Sequence, residues 1–283
     1  MGYQLFVGSM FLGLGPSIAL ILYFALSNRP STIALLFSSA FLWILMFIPN
    51  SGFSMIFRNA RYGSIFYAVF GTITLEAGRY ILFFLMSKLR HSLPYKDSNL
   101  NYFSRRTFLL HAFSAGCGYG IMQAFQTMAP FTNPSFSWAT LYTSLAGIPL
   151  FPYMALLSVG FSFIHASVGI ITWTLFNKSS RNVVFIILSC LLGIVLTGIP
   201  RGLLFLVQST LIPKTGTTLL DLIDSTELTG SSPKSLVGVS IGAFSGIIGY
   251  SVLLVVVAYI LSLRILDGKV SLVGESTTYR KLP

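Results

Sequence analysis

An all-α, polytopic membrane protein of seven transmembrane helices is what this chain of 283 residues predicts, and three observations carry the expectation. Seven apolar stretches, each about long enough to cross a bilayer, fill most of the chain. Its residues are 54% hydrophobic and only 9% charged, with a mean hydropathy of +0.80, more apolar surface than a water-soluble domain could cover. Only seven acidic residues occur, and Glu76 is the one that falls inside an apolar stretch.

A hydrocarbon core of about 30 Å takes about 20 helical residues at ~1.5 Å each. The spans are therefore expected at roughly Leu5 to Leu26, Ile33 to Phe57, Ser64 to Met86, Phe108 to Phe131, Tyr153 to Phe176, Val183 to Val207 and Val237 to Leu263. They form a single transmembrane domain, with 264–283 as a short basic cytosolic tail. A closed barrel needs short alternating segments, whereas these runs are apolar on every face. The first run has no basic residue before it and is too long for a cleaved signal, so it is read as a retained first helix. Trp138 to Phe151 is apolar but too short to cross, and is expected to lie against the lumenal surface or to lengthen helix five. The loops Ser87 to Thr107 and Gln208 to Leu236, the latter carrying Asp221, Asp224 and Glu227, are too short for a soluble domain.

The net charge of +11 raises nucleic acid as a partner, but the basic residues are divided between alternate loops. With the N-terminus lumenal or extracellular, the cytosolic segments hold Arg29, then Lys88, Arg90, Lys96, Arg105 and Arg106, then Lys178 and Arg181, then Arg264, Lys269, Arg280 and Lys281. The other side holds Arg58, Arg61, Lys214 and Lys234. This bias places the N-terminus outside and the C-terminus in the cytosol, and membrane topology rather than nucleic acid accounts for the charge. Asn177-Lys178-Ser179 is a glycosylation sequon in a loop assigned to the cytosol, and Asn133-Pro134-Ser135 is blocked by its proline. Cys117 and Cys190 both fall at membrane depth and read as small apolar packers rather than a disulfide.

Ionisable side chains at bilayer depth are costly, so Glu76, Arg79 and His165 each need a reason. Glu76 and Arg79 stand three apart on one helix face, where they can neutralise each other. They read either as a structural ion pair or as part of an intramembrane acid–base site. His165 reads as hydrogen-bonded between helices, because depth offers too few ligands for zinc; no metal and no cofactor are expected. His111 sits at the mouth of span four and His91 in a loop, while Arg201, near the lumenal end of span six, is expected to snorkel to the interface.

Gly238-Val239-Ser240-Ile241-Gly242 matches the G-x-S-x-G pattern of serine hydrolases, but it opens a membrane helix and reads as a chance match. Every aspartate lies in a loop or the tail, which rules out an intramembrane aspartyl protease needing one in each of two spans. The spans do offer packing surface. Gly116, Gly120 and Ala124 recur every four residues in span four, and Gly238, Gly242 and Gly246 in span seven. Either series suits close packing within one bundle or a docking face for a partner helix.

Several stretches together resemble the anterior pharynx defective (Aph) subunit of gamma-secretase, over nearly the full length. They are Met1-Gly2, Phe6-Val7-Gly8, Gly15-Pro16, Ala40-Phe41-Leu42-Trp43, Glu76-x-x-Arg79-Tyr80, Gly116 and Gly120 with Ile121, His165, and Val239-Ser240-Ile241-Gly242. The resemblance implies a non-catalytic scaffold subunit holding presenilin, nicastrin and the presenilin enhancer subunit, and so supporting proteolysis of type I membrane proteins and Notch signalling. It further implies residence in endoplasmic reticulum, Golgi, endosomal and plasma membranes, contact with membrane lipid, an assembly role for the face of Gly116, Gly120 and Ala124, and a polar cavity around Glu76 and His165. Two positions depart from the family pattern: Ala124 stands for a third glycine, and Cys190 for a second intramembrane histidine, so a role needing two histidines does not carry over. Glu76-x-x-Arg79 and Phe161-x-x-x-His165 also resemble motifs of membrane-embedded CAAX-type peptidases, of which one glutamate and one histidine are missing here. A seven-helix receptor or transporter is a third alternative, without a visible inverted repeat.

Overall fold

The computed structural model describes residues 2–26, 30–57, 63–92, 105–129, 144–145, 148–179, 183–211 and 233–267, and over parts of these, including 204–211 and 233–244, it describes the backbone alone. The described residues form seven helices: α1 (Gly2–Leu26), α2 (Pro30–Phe57), α3 (Gly63–Ser92), α4 (Arg105–Met128), α5 (Leu150–Ser179), α6 (Val183–Leu211) and α7 (Pro233–Leu266). Proline opens both α2 and α7, where its missing N–H costs no intrahelical bond. Pro16, Pro49 and Pro200 lie inside α1, α2 and α6, a placement membrane helices tolerate when neighbouring groups take up the freed carbonyls.

Six helices among the described residues are long and apolar enough to cross a membrane, the exception being α4. Its sequence carries Arg105, Arg106, His111, Ser114, Gln123, Gln126 and three glycines, which lower its hydropathy below that of its neighbours. The reason is positional. A helix enclosed by other helices meets protein rather than lipid, and α4 is sandwiched between α2 and α5, with α1 and α7 against it as well.

The other central element is α5, buried over 72% of its apolar window where α1, α6 and α7 are buried over only 22% of theirs. It packs on α4, α1, α7 and α6, and α3 closes the bundle between α2 and α6. The largest apolar cluster joins Tyr153, Leu157, Phe161, Ile164 and Val168 of α5 to Ile247, Leu254 and Ala258 of α7. A second joins Phe24, Leu36, Cys117, Ile121 and Ala166, drawn from α1, α2, α4 and α5. Lipid is as apolar as leucine, so side-chain fit and interhelical hydrogen bonds hold such a bundle rather than the hydrophobic effect. Helix hydroxyls are satisfied locally: Thr172 Oγ1 donates to the Val168 carbonyl at 2.6 Å and Thr197 Oγ1 to the Gly193 carbonyl at 2.9 Å.

Before α5, the described part of the short apolar stretch forms a minimal antiparallel ladder, Ser144 opposite Pro149 and Leu145 opposite Ile148. Helix five begins immediately after it, at Leu150. The greater part of both long loops, Asp221, Asp224, Glu227, Asn133 and tail residues 268–283 lie outside the described residues.

Candidate functional site

Helix geometry brings Glu76 and Arg79 together, as their spacing predicts. Arg79 Nη1 donates to Glu76 Oε2 at 3.2 Å, and both side chains are 1% exposed. What the spacing does not show is the third member: Arg79 Nη2 lies 2.8 Å from His165 Nδ1, on α5. A guanidinium has donors and no acceptor, so Nδ1 must accept and the imidazole proton resides on Nε2. The face of the guanidinium is covered as well, because its carbon sits 4.9 Å from the centre of the Tyr119 ring on α4. One arginine thereby joins α3, α4 and α5, each of its contacts compensating part of the cost of a charge at that depth.

Small residues allow this cluster to close. On α6, a Cβ at Gly193 would fall 2.8 Å from Glu76 Oε2, so any larger residue there would make the carboxylate shift from its place beside Arg79. A turn earlier on α6, Ser189 Oγ accepts from Tyr80 at 3.1 Å, and half-buried Cys190 follows it. Arg201 departs from its expected course. Instead of reaching for the interface, Nη2 donates to Gln123 Oε1 of α4 at 2.8 Å, because that buried amide oxygen lies within reach of the long side chain and offers it a partner. His111 Nε2 and Ser31 Oγ are 3.2 Å apart at the start of α2. Among the described residues, Glu76 Oε1, Arg79 Nε and Tyr119 Oη make no hydrogen bond to protein.

The small-residue face of α4 is occupied by this chain's own α5. A Cβ on Gly116 would stand 2.7 Å from the His165 carbonyl oxygen, and one on Gly120 would stand 2.8 Å from that of Ser162. From the other side, a Cβ on Gly169 would be 2.6 Å from the Gly116 Cα. Ser162 Oγ donates to the Gly120 carbonyl at 3.3 Å, and Ser158 Oγ lies 3.5 Å from that of Ala124. Of the two uses this series suits, packing within one bundle is the one the structure displays, and a partner helix would have to displace α5 to use the face. The matching series Ser158, Ser162 and Ala166 on α5 was legible in the sequence as a second small-residue stripe at the same spacing. Gly118 faces the other way, against Ser39 and the Leu36 carbonyl of α2, which pins α4 from both sides.

In α7, a Cβ on Gly246 would stand 3.5 Å from Leu203 Cδ1 of α6, an ordinary contact, while Gly238 and Gly242 belong to a stretch whose side chains and surroundings lie outside the described residues. The backbone from Gly238 to Gly242 is continuous helix, without the strand-to-helix turn that a nucleophile elbow needs.

No curated protein matches the chain. The family model described as "Aph-1 protein" matches residues 4–200, which takes in α1 to α5, most of α6, and the whole Glu76–Arg79–His165 cluster. On that match, covering more than half of its length, the chain belongs to the Aph-1 family, a component of gamma-secretase distinct from its catalytic subunit.

Proposed function

We propose that the protein is a non-catalytic scaffold of gamma-secretase, with its N-terminus lumenal, its C-terminus cytosolic, and presenilin, nicastrin and the presenilin enhancer subunit as its partners in endoplasmic reticulum, Golgi, endosomal and plasma membranes. The observation that carries this reading is the use to which the intramembrane ionisable groups are put. Glu76 and His165 both spend a polar atom on Arg79. The same guanidinium engages Glu76 Oε2 and His165 Nδ1, so the carboxylate and the imidazole are held by one cation rather than turned toward a substrate or a metal ion. The cluster ties three helices together, which is what a scaffold needs from buried charge.

With the Gly116 face filled, partner helices dock on the outer helices α1, α2, α6 and α7, whose apolar windows are at most 28% buried within the chain. Presenilin supplies the catalytic aspartates, and this chain supplies shape. Mild-detergent purification followed by mass spectrometry should recover the chain with all three partners. A chain that purifies alone and cleaves a type I membrane-protein substrate, with activity lost in both Glu76→Gln and His165→Ala, would replace this reading with the CAAX-type peptidase one.

A further inference from the structure

We infer that the seam between the start of α4 and the end of α7 is a binding site for one anionic glycerophospholipid, a role separate from assembly. Residues far apart in sequence form it. Arg105 Nη1 lies 3.4 Å from the Leu266 carbonyl oxygen, which brings the first turn of α4 to the last turn of α7. Arg106 and Arg264 are exposed at the same two turns, so three guanidiniums stand at one end of the bundle with Asp267 as the acidic residue described there.

Directly below the cations the seam is apolar. Phe108 and Ile265 are buried against each other, and half-buried Leu109 and Leu261 with exposed Leu263 and Leu266 leave apolar surface beside them for acyl chains. Cationic groups above a continuous apolar seam match a molecule with a phosphate at one end and acyl chains at the other. Guanidinium forks suit phosphate oxygens in particular. A soluble phosphate would use the arginines and leave the apolar part idle, so the seam selects a lipid. In the orientation proposed above, the site opens to the cytosolic leaflet, where anionic lipids reside.

Trp173 packs on this cluster, its ring 6.3 Å from Phe108, and gives a local reporter. The full chain with Trp43→Phe and Trp138→Phe, leaving Trp173 as its one tryptophan, is reconstituted in nanodiscs of phosphatidylcholine containing a fixed fraction of brominated phosphatidylserine or brominated phosphatidylcholine. Brominated phosphatidylserine is expected to quench Trp173 several-fold more strongly at equal mole fraction. Arg106→Gln with Arg264→Gln, both at exposed positions, should bring that preference to parity while quenching by brominated phosphatidylcholine stays unchanged, showing the fold intact. Equal quenching by the two lipids in the parent, or a preference that survives the substitutions, overturns the proposal. Loss of the preference on adding millimolar glycerol phosphate also overturns it, since the site would then be one for soluble anions.

Discussion

Gly116 and His165 touch through their backbones: a Cβ on the glycine would fall 2.7 Å from the histidine's carbonyl oxygen, and the ring of that histidine stands 2.8 Å from Arg79 Nη2. The small-residue seam and the buried ion cluster are thus one structure. Where α5 lies against α4 determines whether the imidazole reaches α3.

Leucine at position 116 forces α4 and α5 apart. Overpacking of this kind costs about 1–3 kcal/mol, and here it also pulls His165 from Arg79. Gly116→Leu is expected to lower the denaturant midpoint of the purified chain itself, before any effect on partners. Gly249→Leu on α7, where nothing lies within 4 Å of the added carbon, should stay within about 0.5 kcal/mol of the parent. Equal stability of the two variants would refute the seam.

Glu76→Gln removes the carboxylate paired with the buried Arg79. Stranding such a charge costs about 3–5 kcal/mol, whereas replacing both members by apolar residues of similar volume is often neutral. Unfolding in mixed micelles should therefore rank Glu76→Gln well below the parent and Glu76→Leu with Arg79→Met nearer to it. A double variant as damaged as the single one would show that the charges do more than neutralise each other.

Gly193→Ala places a methyl against Glu76 Oε2 and should act as a weaker version of Glu76→Gln. Combining Gly193→Ala with Glu76→Ala should cost less than the sum of the two single changes, because the second makes room for the first. Strict additivity in the same unfolding assay would mean that α6 does not press on the carboxylate.

His165 carries its proton on Nε2 if Arg79 Nη2 donates to Nδ1. Nitrogen-15 spectra of ring-labelled protein should show an unprotonated Nδ1 and a protonated Nε2 for this residue, and Arg79→Met should remove the preference between them. An Nδ1-protonated ring in the parent would contradict the contact.

Topology has its own check. A glycosylation sequon placed before α1 should acquire glycan, and Asn177 should remain unmodified, if the N-terminus is lumenal. Glycan on Asn177 would invert the orientation proposed above.

The sequence by itself determined that lipid is the solvent, because helical segments of spanning length and almost no charge leave no other environment. It also determined the Glu76–Arg79 pair, since three residues on a helix bring side chains to the same face whatever surrounds them. Only the tertiary structure decided which neighbour each small face meets, that His165 completes the pair, that Tyr119 covers it, and that Arg201 turns toward Gln123. The physical reason is the bilayer: an outward leucine and an inward one have the same apolar surroundings, so hydrophobic periodicity, the usual sign of which way a helix faces, loses its direction. Glycine spacing shows that something comes close. It took the path of α5 across α4 to show that what comes close is the chain itself.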